Sequence, residues 1–182
     1  MQLPPQAKRV FKGIIFDVYQ WEQQMFDGTV STFEMLKRPN TVEVIAVKDG
    51  KICLSHQSQP TKSDFYSLFG GRGEEGEEPL ATAKRELLEE SGLVSDNWQL
   101  YKTYYPLHKI DWSVYTYIAK DCHKVAEPKL DPGERIEMRE YSFDGFVDLV
   151  LSDHYWGNEL VLDLFRLKEH GELATFKQLL LA

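Results

Sequence analysis

The sequence predicts a mixed α/β (α+β) fold, a mixed β-sheet with helices on its faces and an N-terminal antiparallel β-hairpin ahead of it. Three observations predict it. Short runs between residues 11 and 69 alternate apolar with polar side chains and are punctuated by Asp-Gly pairs, the pattern of strands joined by tight turns. A single stretch of strong helix formers lies between Pro79 and Gly92. From residue 144 onward helical periodicity replaces strand alternation.

Taken in order, residues 1–10 read as a loose lead-in. Residues 11–25 read as strand, with Ile14, Phe16 and Val18 alternating. Asp27-Gly28 turns the chain back through Thr29 to Leu36. A second hairpin runs from Thr41 to Val47, turns at Asp49-Gly50 and returns from Ile52 to His56. Phe65 to Phe69 is a strand leading into a glycine-rich loop. Pro79 suits the first turn of a helix, where a missing N–H costs nothing, and Gly92 suits the left-handed position just past its end. Residues 98–105, 112–119 and 136–143 read as strands. Residues 144–151, 159–168 and 173–181 read as helices, punctuated by Trp156-Gly157 and Gly171, with Trp156 a packing anchor.

At 182 residues the chain predicts one domain, with residues 1–40 as a hairpin extension and 41–182 as the core. Its net charge of −8 and lack of a basic cluster argue against a nucleic-acid surface. That field also repels a phosphate substrate unless a bound cation inverts its local sign. Cys53 and Cys122 fit no zinc spacing and read as buried thiols in a reducing cytoplasm. No apolar run reaches membrane length and the first ten residues lack a signal-peptide core, so a cytoplasmic protein without membrane contact is expected.

The chemistry concentrates between Gly70 and Leu93. From Gly71 the chain reads glycine, five residues, Glu77, seven residues, then Arg85-Glu86-Leu87-Leu88-Glu89-Glu90-Ser91-Gly92-Leu93. On a helix, Glu86, Glu89 and Glu90 stand at i, i+3, i+4 and project from one face, with Leu80, Ala83 and Leu87 on the neighbouring face for packing on a sheet. An acidic helix face is ordinarily a solvated one. Here Gly70, Gly71 and Gly73 let backbone approach closely, and oxygen-only ligation favours Mg²⁺ or Mn²⁺ over zinc.

This stretch resembles the Nudix box at every defined position, and chance agreement falls below about one in a million. The resemblance implies an α/β/α sandwich and a metal-dependent hydrolase of phosphoanhydrides. It implies Glu86 and Glu90 as principal metal ligands, Glu89 as a further ligand, Glu77 and the carbonyl of Gly70 or Gly71 in the metal-binding set, and Arg85 as a catalytic-site residue ion-paired with Glu77. A looser similarity over residues 11–150 carries a Phe-Glu-x-Leu-x-Arg-Pro segment at Phe33 to Pro39 and Gln57-Ser58-Gln59-Pro60. It resembles the branch that cleaves ADP-ribose and nucleoside diphosphate sugars. That branch often has arginine at Gln59, and an apolar residue at Gly73. Its members commonly take the catalytic base from a loop before a late strand, here residues 130–137. Glu134 is the candidate, against the alternative of a surface turn residue, with Glu137 and Glu89 the alternates. The branch also implies a homodimer through the N-terminal hairpin.

Candidate substrate-binding residues are Gln59, Arg72, Tyr105 and Trp112, with Tyr104 and His108 nearby; the aromatic ones read equally as packing. The expected activity is a Mg²⁺-dependent pyrophosphohydrolase yielding a nucleoside monophosphate and a sugar phosphate. The alternatives are hydrolysis of another nucleotide, such as a nucleoside triphosphate or dinucleoside polyphosphate, and a non-catalytic nucleotide sensor. Sensors usually lose box carboxylates, and this chain keeps all four. An isomerase on the same fold needs a catalytic cysteine near the site.

Overall fold

The computed structural model describes residues 2–182. The elements run β1 (Lys8–Lys12), β2 (Asp17–Gln24), β3 (Val30–Lys37), β4 (Thr41–Lys48), β5 (Lys51–Gln59), β6 (Lys62–Ser67), α1 (Pro79–Ser91), β7 (Leu93–Val94), β8 (Asn97–Tyr104), β9 (Ile110–Asp111), β10 (Val114–Lys120), β11 (His123–Lys124), β12 (Arg135–Tyr141), α2 (Phe143–Val150), α3 (Asn158–Glu169) and α4 (Leu173–Leu181).

The main sheet has the order β12-β5-β4-β10-β8, with β6 pairing on β5. It is mixed, because β10 runs parallel to β4 while β8 and β12 are antiparallel to their neighbours. Alternation along its strands loads both faces. Ile45, Val47, Ile52, Leu54 and Ile118 pack against Phe146, Leu160, Leu164, Phe176 and Leu180 from α2, α3 and α4. Val44, Ala46, Cys53 and Ala119 face the other way, onto Ala83 and Leu87 of α1. The α/β/α sandwich is therefore present, with α1 alone on one face.

Several expectations change. Residues 1–10 are not all lead-in, because β1 begins at Lys8. The strand expected over residues 11–25 is two strands, divided by a turn in which Gly13 N–H donates to the Phe16 carbonyl. The N-terminal extension is consequently a four-stranded sheet, β1-β2-β3-β9, closed by the parallel pairing of Leu36 with Ile110. The strand expected from Trp112 begins at Val114. Leu80 is 37% exposed and lies off the packing face that Ala83 and Leu87 occupy. Both cysteines are buried free thiols, as expected.

Candidate active site

Helix α1 ends where the sequence places its stop. Gly92 adopts φ 73° and its N–H donates to the Leu88 carbonyl. Burial of Ala83 and Leu87 orients the helix, so Glu86, Glu89 and Glu90 face a groove of about 880 Å³. The loop before the helix comes down onto them. Gly70 sits at φ 147°, and a Cβ there would strike the Val42 carbonyl, so only glycine fits; a Cβ on Gly71 would push against the Glu86 carboxylate.

Glu90 is the most enclosed of the three helix acids, 6% exposed. Its carboxylate accepts one hydrogen bond, from Gly70 N–H at 2.8 Å. Burial pushes its pKa well above the usual carboxylate value, and the charges of Glu86, Glu134 and Glu89 push the same way. Burial likewise raises Glu86. A buried carboxylate with so little compensation is stabilised by a cation.

Arg85 organises the other side. Its Nε and Nη2 grip both oxygens of Glu77 at 3.1 Å, Nη1 donates to Glu86 and Glu89 at 2.9 Å, and Nη2 donates to the Arg72 carbonyl at 3.3 Å. The expected Arg85–Glu77 pair is thus formed. Arg85's hydrogen bonds, with that from Glu74 N–H, hold the Glu77 carboxyl down at about 2. Glu77 meets Arg85 outside the lining of the groove. With Arg85 spanning the acids, no three His, Cys, Asp or Glu side chains among the described residues are already gathered into a metal cage.

Glu134 lines the opposite wall with Lys129 and Asp131. Its loop is tied to α1 by Lys129 N–H, which donates to the Glu89 carbonyl at 2.7 Å. The alternate base Glu137 lies apart, paired with Arg139 on β12 and outside the groove lining. The Gly71 carbonyl already accepts from Val42 N–H at 2.9 Å, which makes that of Gly70 the freer oxygen. The donor set of Glu86, Glu89, Glu90, Glu134 and the Gly70 carbonyl is all oxygen and strongly anionic, which suits Mg²⁺ or Mn²⁺.

Past Gly70, Gly71 and Arg72 the groove continues into a cleft of about 1120 Å³. Arg38 and Gln59 line both parts. The Arg38 guanidinium lies 4.6 Å over the Trp112 ring, its buried Nε has no partner, and Arg72 is close enough to repel it. Trp112 also donates from Nε1 to Thr41, so it serves as the seat of Arg38 and not as an open stacking face. Tyr104 turns inward, donating from its hydroxyl to Asp163 at 2.6 Å. Tyr105 is 63% exposed at the rim. His108 lies on an exposed turn outside the cleft lining. Arg38 and Trp156 also line the cleft, outside the sequence candidates, and Trp156 is 61% exposed where the sequence predicts a packing anchor. The Arg-Pro pair in the Phe33–Pro39 segment was the signal for the first; nothing local marked the second.

Comparison with known proteins bears on the family and the fold. Residues 37–165 match the model of the NUDIX domain. The chain is 31% identical over 149 residues to an ADP-ribose pyrophosphatase of Bacillus subtilis, covering 80% of each chain. It is 25% identical over 161 residues to a methanol dehydrogenase activator of Bacillus methanolicus, covering 86% of each. An oxidized purine nucleoside triphosphate hydrolase of Danio rerio shares 29% over 140 residues, 74% of this chain and 83% of that one. A crystal structure of an ADP compounds hydrolase superposes with a TM-score of 0.71 at 20% identity, covering 92% of this chain and 95% of the other, which bears on the fold.

Proposed function

The chain belongs to the Nudix family and is a Nudix hydrolase, and from that premise we propose a Mg²⁺-dependent pyrophosphohydrolase. Its substrate is a nucleoside diphosphate joined to ribose or another sugar, cut into a nucleoside monophosphate and a sugar phosphate. One observation carries the proposal: an all-oxygen anionic groove opens directly beside two guanidiniums, Arg38 and Arg72, neither of which is paired with a carboxylate among the described residues. Such a junction fits a diphosphate, with cation-seeking groups on one side and anion-seeking groups on the other.

When bound, a divalent cation neutralises charge growing on the attacked phosphoryl group and makes a nearby water more acidic. The chain's residues do the rest. Glu86 and Glu90 would hold the cation, with Glu89 and the Gly70 carbonyl as further ligands. Arg85 keeps Glu86 and Glu89 aimed by anchoring them to Glu77. Arg38 and Arg72 orient the diphosphate oxygens, and Gln59 borders the same junction. Glu134 accepts the proton of the attacking water. The new P–O bond forms on one phosphorus and the bridging oxygen leaves with the other.

Residues 1–182 act as one domain in this proposal. The N-terminal sheet exposes Phe11, Ile14, Phe26 and Val30, an apolar set suited to burial in a homodimer. Free buried thiols at Cys53 and Cys122 fit a cytoplasmic setting. The relative from Danio rerio favours one second reading, hydrolysis of modified purine triphosphates.

A substrate panel with Mg²⁺ tests the proposal: ADP-ribose, ADP-, GDP- and UDP-sugars, nucleoside triphosphates including oxidised ones, and dinucleoside polyphosphates. Highest kcat/KM on a diphosphate-linked sugar is expected. Highest kcat/KM on a triphosphate, with pyrophosphate release, supports the second reading, and no turnover of any of them supports a sensor.

A further inference from the structure

At the end of the cleft away from the acids, one wall is the turn between α2 and α3. Its backbone is fixed to β6: Tyr66 N–H donates to the His154 carbonyl at 2.8 Å, and Trp156 N–H donates to the Tyr66 carbonyl at 2.7 Å. Tyr155 points inward and is buried, so its neighbour Trp156 points out. Trp156 is 61% exposed, yet it stands on a backbone held as firmly as a strand. An indole left open on a rigid support forgoes large apolar burial, which is expected where a ligand supplies the missing cover.

Its surroundings narrow the ligand. Lys62 Nζ lies 3.0 Å from the ring centroid, and Phe65 meets the indole edge-on at 6.4 Å. Lys62 is in no ion pair among the described residues, so the indole is its principal company. Tyr105, the other open aromatic of the cleft, stands on the rim contributed by β8 and the loop after it. Exposed aromatic rings with a free ammonium beside them, on one continuous cleft with the guanidinium junction, match a flat heterocycle tethered to phosphate. A base stacked on an aromatic ring outweighs an exposed cation–π contact, so the base displaces Lys62 from the indole and leaves it free to meet the phosphate side.

We infer that Trp156 is the stacking platform for the substrate's nucleobase, with Lys62 as the cation that the base displaces. The inference rests on the nucleotide substrate proposed above, and its test is separable from that proposal. In EDTA, where no hydrolysis occurs, AMP should quench tryptophan emission, Trp156→Phe should remove most of that quench, and ribose 5-phosphate should quench neither protein. With Mg²⁺ and the preferred nucleotide, Trp156→Ala should raise KM about tenfold with kcat changed less than about threefold, and Trp156→Phe should restore most of the loss. An AMP quench unchanged in Trp156→Phe, or an unchanged KM in Trp156→Ala, overturns the platform whatever the substrate. A Trp156-dependent quench in a protein that prefers triphosphates supports the platform and removes only the diphosphate-sugar reading.

Discussion

The carbonyl of Gly92, which ends the helix bearing the acids, accepts a hydrogen bond from Val125 N–H at 2.9 Å. Four residues later in the chain, Lys129 N–H reaches the Glu89 carbonyl. The segment leading to Glu134 is therefore strapped along the end of α1, and β7 and β11 pair beside it. Gly92 is held to glycine twice, by its left-handed backbone and because a Cβ there would strike the Ala126 carbonyl. Gly92→Ala should cost about 1–3 kcal/mol of stability and lower kcat as the strap shifts Glu134. Thermal unfolding and steady-state kinetics check this; an unchanged Tm with unchanged kcat contradicts it.

Glu134→Gln keeps the shape of the side chain and removes its basicity. It should lower kcat by about 10²–10⁴-fold with little change in KM, and flatten the acidic limb of the pH–rate profile. A normal rate with that limb intact moves the base to another carboxylate.

Arg38→Ala removes a guanidinium whose Nε lacks a partner and whose ring seat, Trp112, remains. KM for a diphosphate substrate should rise by about 10–100-fold while Tm changes little, since few internal bonds are lost. A fall in Tm with KM unchanged would make Arg38 a packing residue.

Glu43 lies on the cleft floor, where burial and the Glu159 charge raise its carboxyl from 4.5 to about 7. Between those values the folded protein holds a proton that the unfolded chain releases. Stability is therefore lost as pH rises from about 4.5 through 7 and stays lost above it. In metal-free buffer Glu43→Gln should gain at most about 3 kcal/mol over the parent at pH 8 and nothing at pH 4.5. Denaturant melts at the two pH values decide it; an equal difference at both removes the assignment.

Much of this arrangement was legible in the residues. The offsets from Gly71 through Glu77 to Gly92 placed the acids on one helix face, because helical geometry is local. Alternation placed β4, β5 and β10 in a sheet for the same reason. The Gly13–Phe16 turn was hidden because Ile14, Phe16 and Val18 keep strand alternation through it. Strands β7, β9 and β11 have two residues each, too few for any pattern, and exist through their partners. Tyr155 and Trp156 are adjacent aromatics of similar propensity; pairing with Tyr66 decides which is buried. Arg38 and Arg72 are far apart in sequence, and the Thr41–Arg72 bridge alongside β4, with the hydrogen bonds from Val42 N–H to the Gly71 carbonyl and from Gly73 N–H to the Asn40 carbonyl, brings them together.

The most direct test is a crystal soaked in Mn²⁺, examined for anomalous density in the parent and in Glu90→Gln. Glu90→Gln should fold normally and lose most turnover at saturating Mg²⁺. The parent should show a peak beside the Glu86 and Glu90 carboxylates that is weakened or absent in the variant. A parent crystal without density at those carboxylates, or a variant with normal turnover, contradicts the assignment of the helix acids as the metal-holding groups.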